Sequence, residues 1–147
     1  MSLKKILLGY DGTEPARQAL TRAVEFARAF GASLVVASVA PLLLNAGRGM
    51  GAIDPLSDVD EHQRQLQLAR DLIEAVPGAP VATEYVTAVG DPVETIVTLS
   101  DEHEVDLIVV GTREPSIIAR LFGQSVSSAV ARHAHRDVLI VHGTHEH

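Results

Sequence analysis

The sequence predicts an α/β fold, a three-layer α/β/α sandwich around a five-stranded, mainly parallel open sheet. Three observations carry this expectation. Four short branched runs are apolar at every position rather than at every second one, as in strands covered on both faces. Helical patterns lie between these runs, so strands and helices alternate, which implies right-handed crossovers. The chain has 147 residues and no internal repeat, so residues 1–147 read as a single domain.

The first strand is Ile6-Leu7-Leu8, which leads into Gly9-Tyr10-Asp11-Gly12. Thr13 then caps a helix, with Glu14 and Pro15 in its first turn. Ala16, Leu20, Ala23, Val24, Ala27 and Phe30 recur at helical spacing, and Gly31 ends the pattern. Leu34-Val35-Val36 is the second strand. Pro41 to Ser57 reads as a long connection with Gly47, Gly49, Gly51 and Pro55. A second helix is expected over Asp58 to Val76, with Leu66, Ala69, Leu72, Ile73 and Val76 on one face. Val81 to Val89 alternates at Val81, Thr83, Tyr85 and Thr87, which suits a strand near an edge. Asp91-Pro92-Val93-Glu94 combines a cap, a first-turn proline and a capping-box glutamate; Val93, Ile96, Val97 and Leu99 follow. Leu107-Ile108-Val109-Val110 is the fourth strand. A last helix is expected over Ser125 to His135, carrying Val126, Ala129, Val130 and Ala134, before the strand Val138-Leu139-Ile140-Val141.

Composition narrows the function. Apolar residues make up 46% and charged residues 21%, which suits a soluble globular chain. Aromatic residues are 3% with no Trp, so Val, Leu, Ile and Ala must build the core. Twelve Lys and Arg face 19 Asp and Glu, a formal net charge of −7, and nucleic-acid binding needs the opposite sign. No cysteine is present, which excludes disulfides and thiolate chemistry. No apolar run reaches the roughly 18 residues of a membrane span, and no secretory signal opens the sequence. A cytoplasmic location without membrane or nucleic-acid partners is the expectation.

Ligands of such sheets bind beyond the carboxyl ends of the strands, where strand order reverses. Asp11 stands at one such end. Gly111-Thr112-Arg113 stands at another and opens a stretch running to Ser127. Gly111 lets backbone approach a ligand, or is a turn glycine. Gly123 to Ser127 opens a helix whose free amides and dipole favour an anion. Ser125 and Ser127 offer hydroxyls, or Ser125 is a plain N-cap. Arg113 and Arg120 offer charge, or are solvated surface residues. Asp11 can accept from a ribose hydroxyl or hold a metal, or it satisfies turn amides before Gly12. The histidines are His62, His103, His133, His135, His142, His145 and His147. No local Ser-His-Asp arrangement involves them, so nucleophilic hydrolysis has no support.

Together these segments resemble the universal stress protein family over Lys4 to His142. Lys4 to Glu14 resembles its opening strand and turn. Gly90-Asp91-Pro92 resembles its third helix start, and Val105 to Arg113 its fourth strand and loop. Ser125-Val126-Ser127 through Val141 is similar to its closing helix and strand. The resemblance implies an adenine nucleotide alpha hydrolase-like fold. It also implies a small stress-response module holding ATP or AMP, with Mg²⁺, in the cleft of strands one and four. Asp11 corresponds to the acidic contact near ribose and phosphates, and Val39 to the adenine contact, although a plain core valine is its other reading. Gly111, Thr112 and Arg113 correspond to the loop below the ribose and phosphates; Ser125, Val126 and Ser127 correspond to the phosphate-binding helix start.

Nucleotide binders of the family carry Gly-x-x-Gly, nine residues, then Gly-Ser or Gly-Thr. Aligned through Ser125, Gly111 takes the first glycine position, Glu114 the second and Gln124 the third. Gly123 takes the third if the loop shifts by one residue. An inward Glu114 carboxylate repels phosphate by about a few kcal/mol, whereas the Gln124 amide can donate to it. The alternative is therefore a stress protein without nucleotide, acting as an interaction or scaffold dimer. Slow ATPase or autophosphorylating activity is the most the pattern supports as catalysis, because no dedicated general base is visible. The resemblance also implies a homodimer through the apolar final strand, residues 137–143, since an open edge invites pairing; a covered edge in a monomer is the other reading.

Overall fold

The computed structural model describes residues 2–40, 55–112 and 126–143. In chain order these form β1 (Lys5–Gly9), α1 (Glu14–Phe30), β2 (Ser33–Ala40), α2 (Pro55–Ala75), β3 (Thr83–Val89), α3 (Pro92–Glu102), β4 (Leu107–Thr112), α4 (Val126–His133) and β5 (Asp137–His142). The sheet order is β3-β2-β1-β4-β5. Every neighbouring pair is parallel, so the sheet is parallel throughout.

Strand alternation divides the core in two. Ile6, Leu8, Leu34, Val36 and Val109 face α1 and α2, where Leu20, Val24, Ala69 and Ile73 meet them. Leu7, Val35, Ala37, Ile108 and Val110 face α3 and α4, against Ile96, Leu99 and Val130. Burial on both faces is why the central strands read as unbroken apolar runs. The weaker, alternating run is β3 at one edge, and β5 forms the other edge.

The helix signals act as expected. The Thr13 hydroxyl accepts from the Ala16 amide at 3.4 Å, and Gly31 closes α1 in a left-handed conformation at φ 68°. The Asp91 carboxylate accepts from the Glu94 amide at 2.9 Å and starts α3. Two long-range ties join these elements. Arg28 of α1 donates to the carbonyls of Val76, Pro77 and Ala79 at 2.9, 2.6 and 2.8 Å. Asp106, just before β4, accepts from the Lys4 and Lys5 amides at 2.8 and 3.1 Å.

Several expectations change. The helix α2 begins at Pro55, inside the stretch read as connection, because a proline's fixed φ suits a first turn. Leu72 is 38% exposed and Phe30 57% exposed, although both fit the apolar periodicity. Leu66, Ala69 and Ile73 already fill the buried arc of α2, and Leu72 falls at its margin. Phe30 is the last residue of α1 and stacks on Phe26 with ring centroids 6.1 Å apart. The strand β2 continues past its apolar run through Ser38 and Val39 to Ala40. The helix α4 is shorter than expected, and its Val126 is 50% exposed. Most of the long connection and of the Gly111–Ser127 stretch lies outside the described residues.

Candidate functional site at the strand ends

The neighbours of β1 are β2 on one side and β4 on the other, so strand order reverses at β1. A cleft of about 190 Å³ opens there. Its apolar side is formed by Ala37 and Val39 of β2, Val110 of β4, and Pro92 and Ile96 of α3. Its polar side carries Asp11, Thr13 and Ser127. Pleating explains the division of β2: Ala37 and Val39 point to the α3 side, whereas Ser38 between them points to α2.

Of the expected site residues, the fold brings Asp11, Val39, Gly111, Val126 and Ser127 to this cleft. Thr112 ends β4, half-buried and in register with His142, and does not line the cleft. Arg113, Gly123, Gln124 and Ser125 lie outside the described residues, as do Glu114 and Arg120.

The turn reading of Asp11 is realised. Its Oδ1 accepts from the Thr13 amide at 3.0 Å and from the Thr13 hydroxyl. The next residue, Gly12, adopts φ 79°, which bends the chain from β1 into α1. The turn holds Asp11 exposed at the cleft, so its structural and positional roles coincide. Ser127 is 4% exposed in the first turn of α4.

Gly111 has a structural reason to be glycine besides its place at the cleft. A Cβ there would stand 2.4 Å from the Pro15 carbonyl oxygen and 2.5 Å from its carbonyl carbon. The end of β4 thus presses against the first turn of α1, and no side chain fits between them. Gly9 of β1 meets softer neighbours: its Cβ would lie 3.3 Å from Ile96 Cδ1 and Val110 Cγ1.

Sequence reading missed three features. Tyr10 is 5% exposed and lines the cleft, and burial holds its hydroxyl pKa above the ordinary tyrosine value. The apolar side includes Ala37 and Ile96, which look like plain core residues in sequence, and Pro92, which reads only as a helix start. Ser38 is fully buried, with its hydroxyl 2.5 Å from His62 Nδ1 and 3.4 Å from Gln65 Oε1. This pair fastens α2 over β2. Its serine is sealed from solvent and offers no accessible nucleophile.

Among the described residues, no cluster of three or more His, Asp or Glu is placed to hold a metal. None of their helices is long and apolar enough to cross a membrane.

The sequence profile of the universal stress protein family matches residues 2–142. The chain belongs to that family. This universal stress protein is 37% identical over 147 residues to a universal stress protein of Mycobacterium tuberculosis, covering 96% of this chain and 97% of that protein. It superposes with a TM-score of 0.76 on a universal stress protein solved in complex with cAMP, at 30% identity, covering 98% of this chain and 100% of that one. A universal stress protein from Archaeoglobus fulgidus solved in complex with dAMP gives a TM-score of 0.69 at 26% identity, covering 96% and 99%. The expected adenine nucleotide alpha hydrolase-like architecture is thus the architecture of this universal stress protein.

Proposed function

We propose that this protein is a stress-response module binding an adenine nucleotide in the cleft between β1 and β4. The observation that carries this reading is the cleft's division. Ala37, Val39, Pro92 and Ile96 offer an apolar slot suited to a flat base, with Asp11, Thr13 and Ser127 on its polar side. Such a slot, placed at a switch point, is the usual site for a nucleotide in an open α/β sheet. The cAMP and dAMP complexes of family members support the same ligand class. In this reading Val39 contacts the base, Asp11 the ribose, and Val126 and Ser127 the phosphate-facing helix start. Thr112, Arg113, Gly123, Gln124 and Ser125 belong to the chain that would complete the phosphate side. AMP and ATP are the ligands to test. Magnesium would enter with ATP, carried on its phosphates. A cytoplasmic location and pairing of two copies along the outer edge of β5 complete the proposal; among the described residues that edge has no neighbour in the sheet.

Calorimetric titration with AMP and ATP, with and without Mg²⁺, tests the reading. Saturable heat with AMP, abolished by Val39→Trp, is the expected result. Absence of heat with either nucleotide from folded protein stripped of carried-over ligand would overturn it.

A further inference from the structure

The opposite face of the sheet carries a larger hollow, of about 800 Å³, between α2 and the first turn of α1. Glu61, Gln65, Leu68 and Leu72 line it from α2, and Tyr10, Gly12, Thr13, Glu14 and Arg17 from the other side. The α2 residues fall on one helical stripe, spaced by three or four residues along about three turns, or about 16 Å of axis. Two leucines on this stripe are unusual for a surface, since Leu68 is 60% and Leu72 38% exposed. They are separate from the α2 face that fills the core, where Leu66, Ala69 and Ile73 are buried.

The rim is acidic. Among the described residues that line the groove, the acidic ones are Asp11, Glu14, Glu61 and Asp71, and the basic one is Arg17. Arg17 is committed: it pairs with Glu14 at 2.5 Å and donates to the Gly12 carbonyl at 3.3 Å. That contact holds the Glu14 carboxyl below its ordinary pKa, so it stays ionised. Among the described residues neither Asp11 nor Asp71 has an ion-pair partner. Glu61 meets only Arg64, with both side chains more than half exposed, a pairing of little strength in water. The formal charge of −7 extends the same sign over the whole chain.

We infer that this groove docks a basic amphipathic helix of a partner protein, its apolar residues on Leu68 and Leu72 and its lysines or arginines on the acidic rim. A groove between two helices accepts a third helix through anchors at i, i+3, i+4 and i+7, and the rim charge steers and orients it. The inference is tested apart from nucleotide binding: Tyr10, Asp11 and Thr13 border both the groove and the cleft, but Leu68, Asp71 and Leu72 line the groove and not the cleft.

The test uses the full chain and a fluorescein-labelled helical peptide with leucines at i, i+3, i+4 and i+7 and lysines elsewhere. A scrambled peptide of the same composition is the control. Fluorescence anisotropy should show saturable binding that weakens at least about tenfold in the double variant Leu68→Ala, Leu72→Ala, and also in Asp71→Lys. Both leucines are exposed, so the double variant should keep the wild-type melting temperature. Equal affinity for wild type and double variant, or equal affinity for the scrambled peptide, would reduce the interaction to unspecific charge attraction and sink the inference. Sedimentation velocity supplies the other arm. If the double variant loses an oligomer that the wild type forms, the occupant is a second copy of the chain and the basic-helix partner is wrong.

Discussion

The two faces of the sheet are finished differently. One lies under helices of 17 and 21 residues, α1 and α2. Among the described residues, the other lies under α3 and α4, with 11 and 8 residues. Under the long pair, side chains from both helices and three strands form one continuous cluster. Under the short pair the cluster is smaller, and Val39, Ala88 and Ile140 at the strand ends are only partly buried. The candidate cleft, lined by Val39, Ile96 and Val110, opens on this second face. The lesson is that one sheet can be sealed to different degrees on its two sides, and that the candidate site lies on the side whose strand ends are the less deeply buried.

The same contrast divides two glycines at adjacent strand ends. Gly111 faces the α1 backbone, whereas Gly9 faces side-chain ends in the cleft. Gly111→Ala should therefore give the largest effect, a loss of about 3 kcal/mol, because backbone cannot yield as a side chain can. Thermal unfolding would show it as a fall in Tm of roughly 10 °C. A Tm within a degree or two of wild type would show that α1 moves freely over β4. Gly9→Ala should cost less than about 1 kcal/mol and instead narrow the cleft, weakening AMP binding in calorimetry. Because Gly111 fails through folding, it is a poor residue for testing ligand contact.

Truncating Ile96 to Ala should cost about 2 kcal/mol from lost burial and also lower nucleotide affinity. Leu20→Ala, on the long-helix face, should cost about 3 kcal/mol and leave affinity unchanged once the protein is folded. Equal effects of the two on affinity would erase the distinction between the faces. A smaller change is expected at the cap of α3: Asp91→Ala should lose about 1 kcal/mol in chemical denaturation. The mildest concerns Asp106 at the far end of the strands. Its pKa is held below the ordinary aspartate value, chiefly by the Lys4 amide. A depressed carboxyl stabilises the fold above its unfolded pKa, and that contribution disappears as pH falls through the folded one. Melting curves below about pH 5 should therefore fall less steeply for Asp106→Asn than for wild type, and a parallel decline would remove the role of that carboxylate.

Much of the fold was legible because its signals are local. A doubly buried strand is apolar at each position, and Thr13, Asp91 and Gly31 act within one helical turn. The errors came from relations between distant segments. Nothing near Leu72 in sequence shows that the buried arc of α2 is already filled. The need for a glycine at 111 lies in Pro15, and the bond of Ser38 lies in His62 on another element. In the candidate site, Asp11 and Ser127 were singled out by their places at a strand end and a helix start, and Val39 by resemblance to a family; the residues alone left Asp11 with a turn reading and Val39 with a core reading. Ala37 and Ile96 were passed over because the slot reuses core residues, and Pro92 because it reads as a helix start; composition cannot distinguish a wall facing a ligand from a wall facing a helix.

The pairing of β1 has a consequence for how the protein is made. Its residue Ile6 sits beside Leu34 on one side and Leu107 on the other. Emerging from a ribosome, the chain can join β1 to β2 early, but the opposite edge of β1 must wait for β4. Until then Ile6, Leu7 and Leu8 present an open apolar edge, the kind of surface on which nascent chains aggregate. Loop closure over such a separation is also slow relative to local contacts. Synthesis of this small protein therefore passes through a vulnerable interval set by the central position of its first strand, and chaperone contact is most useful before the Lys4–Asp106 tie has formed.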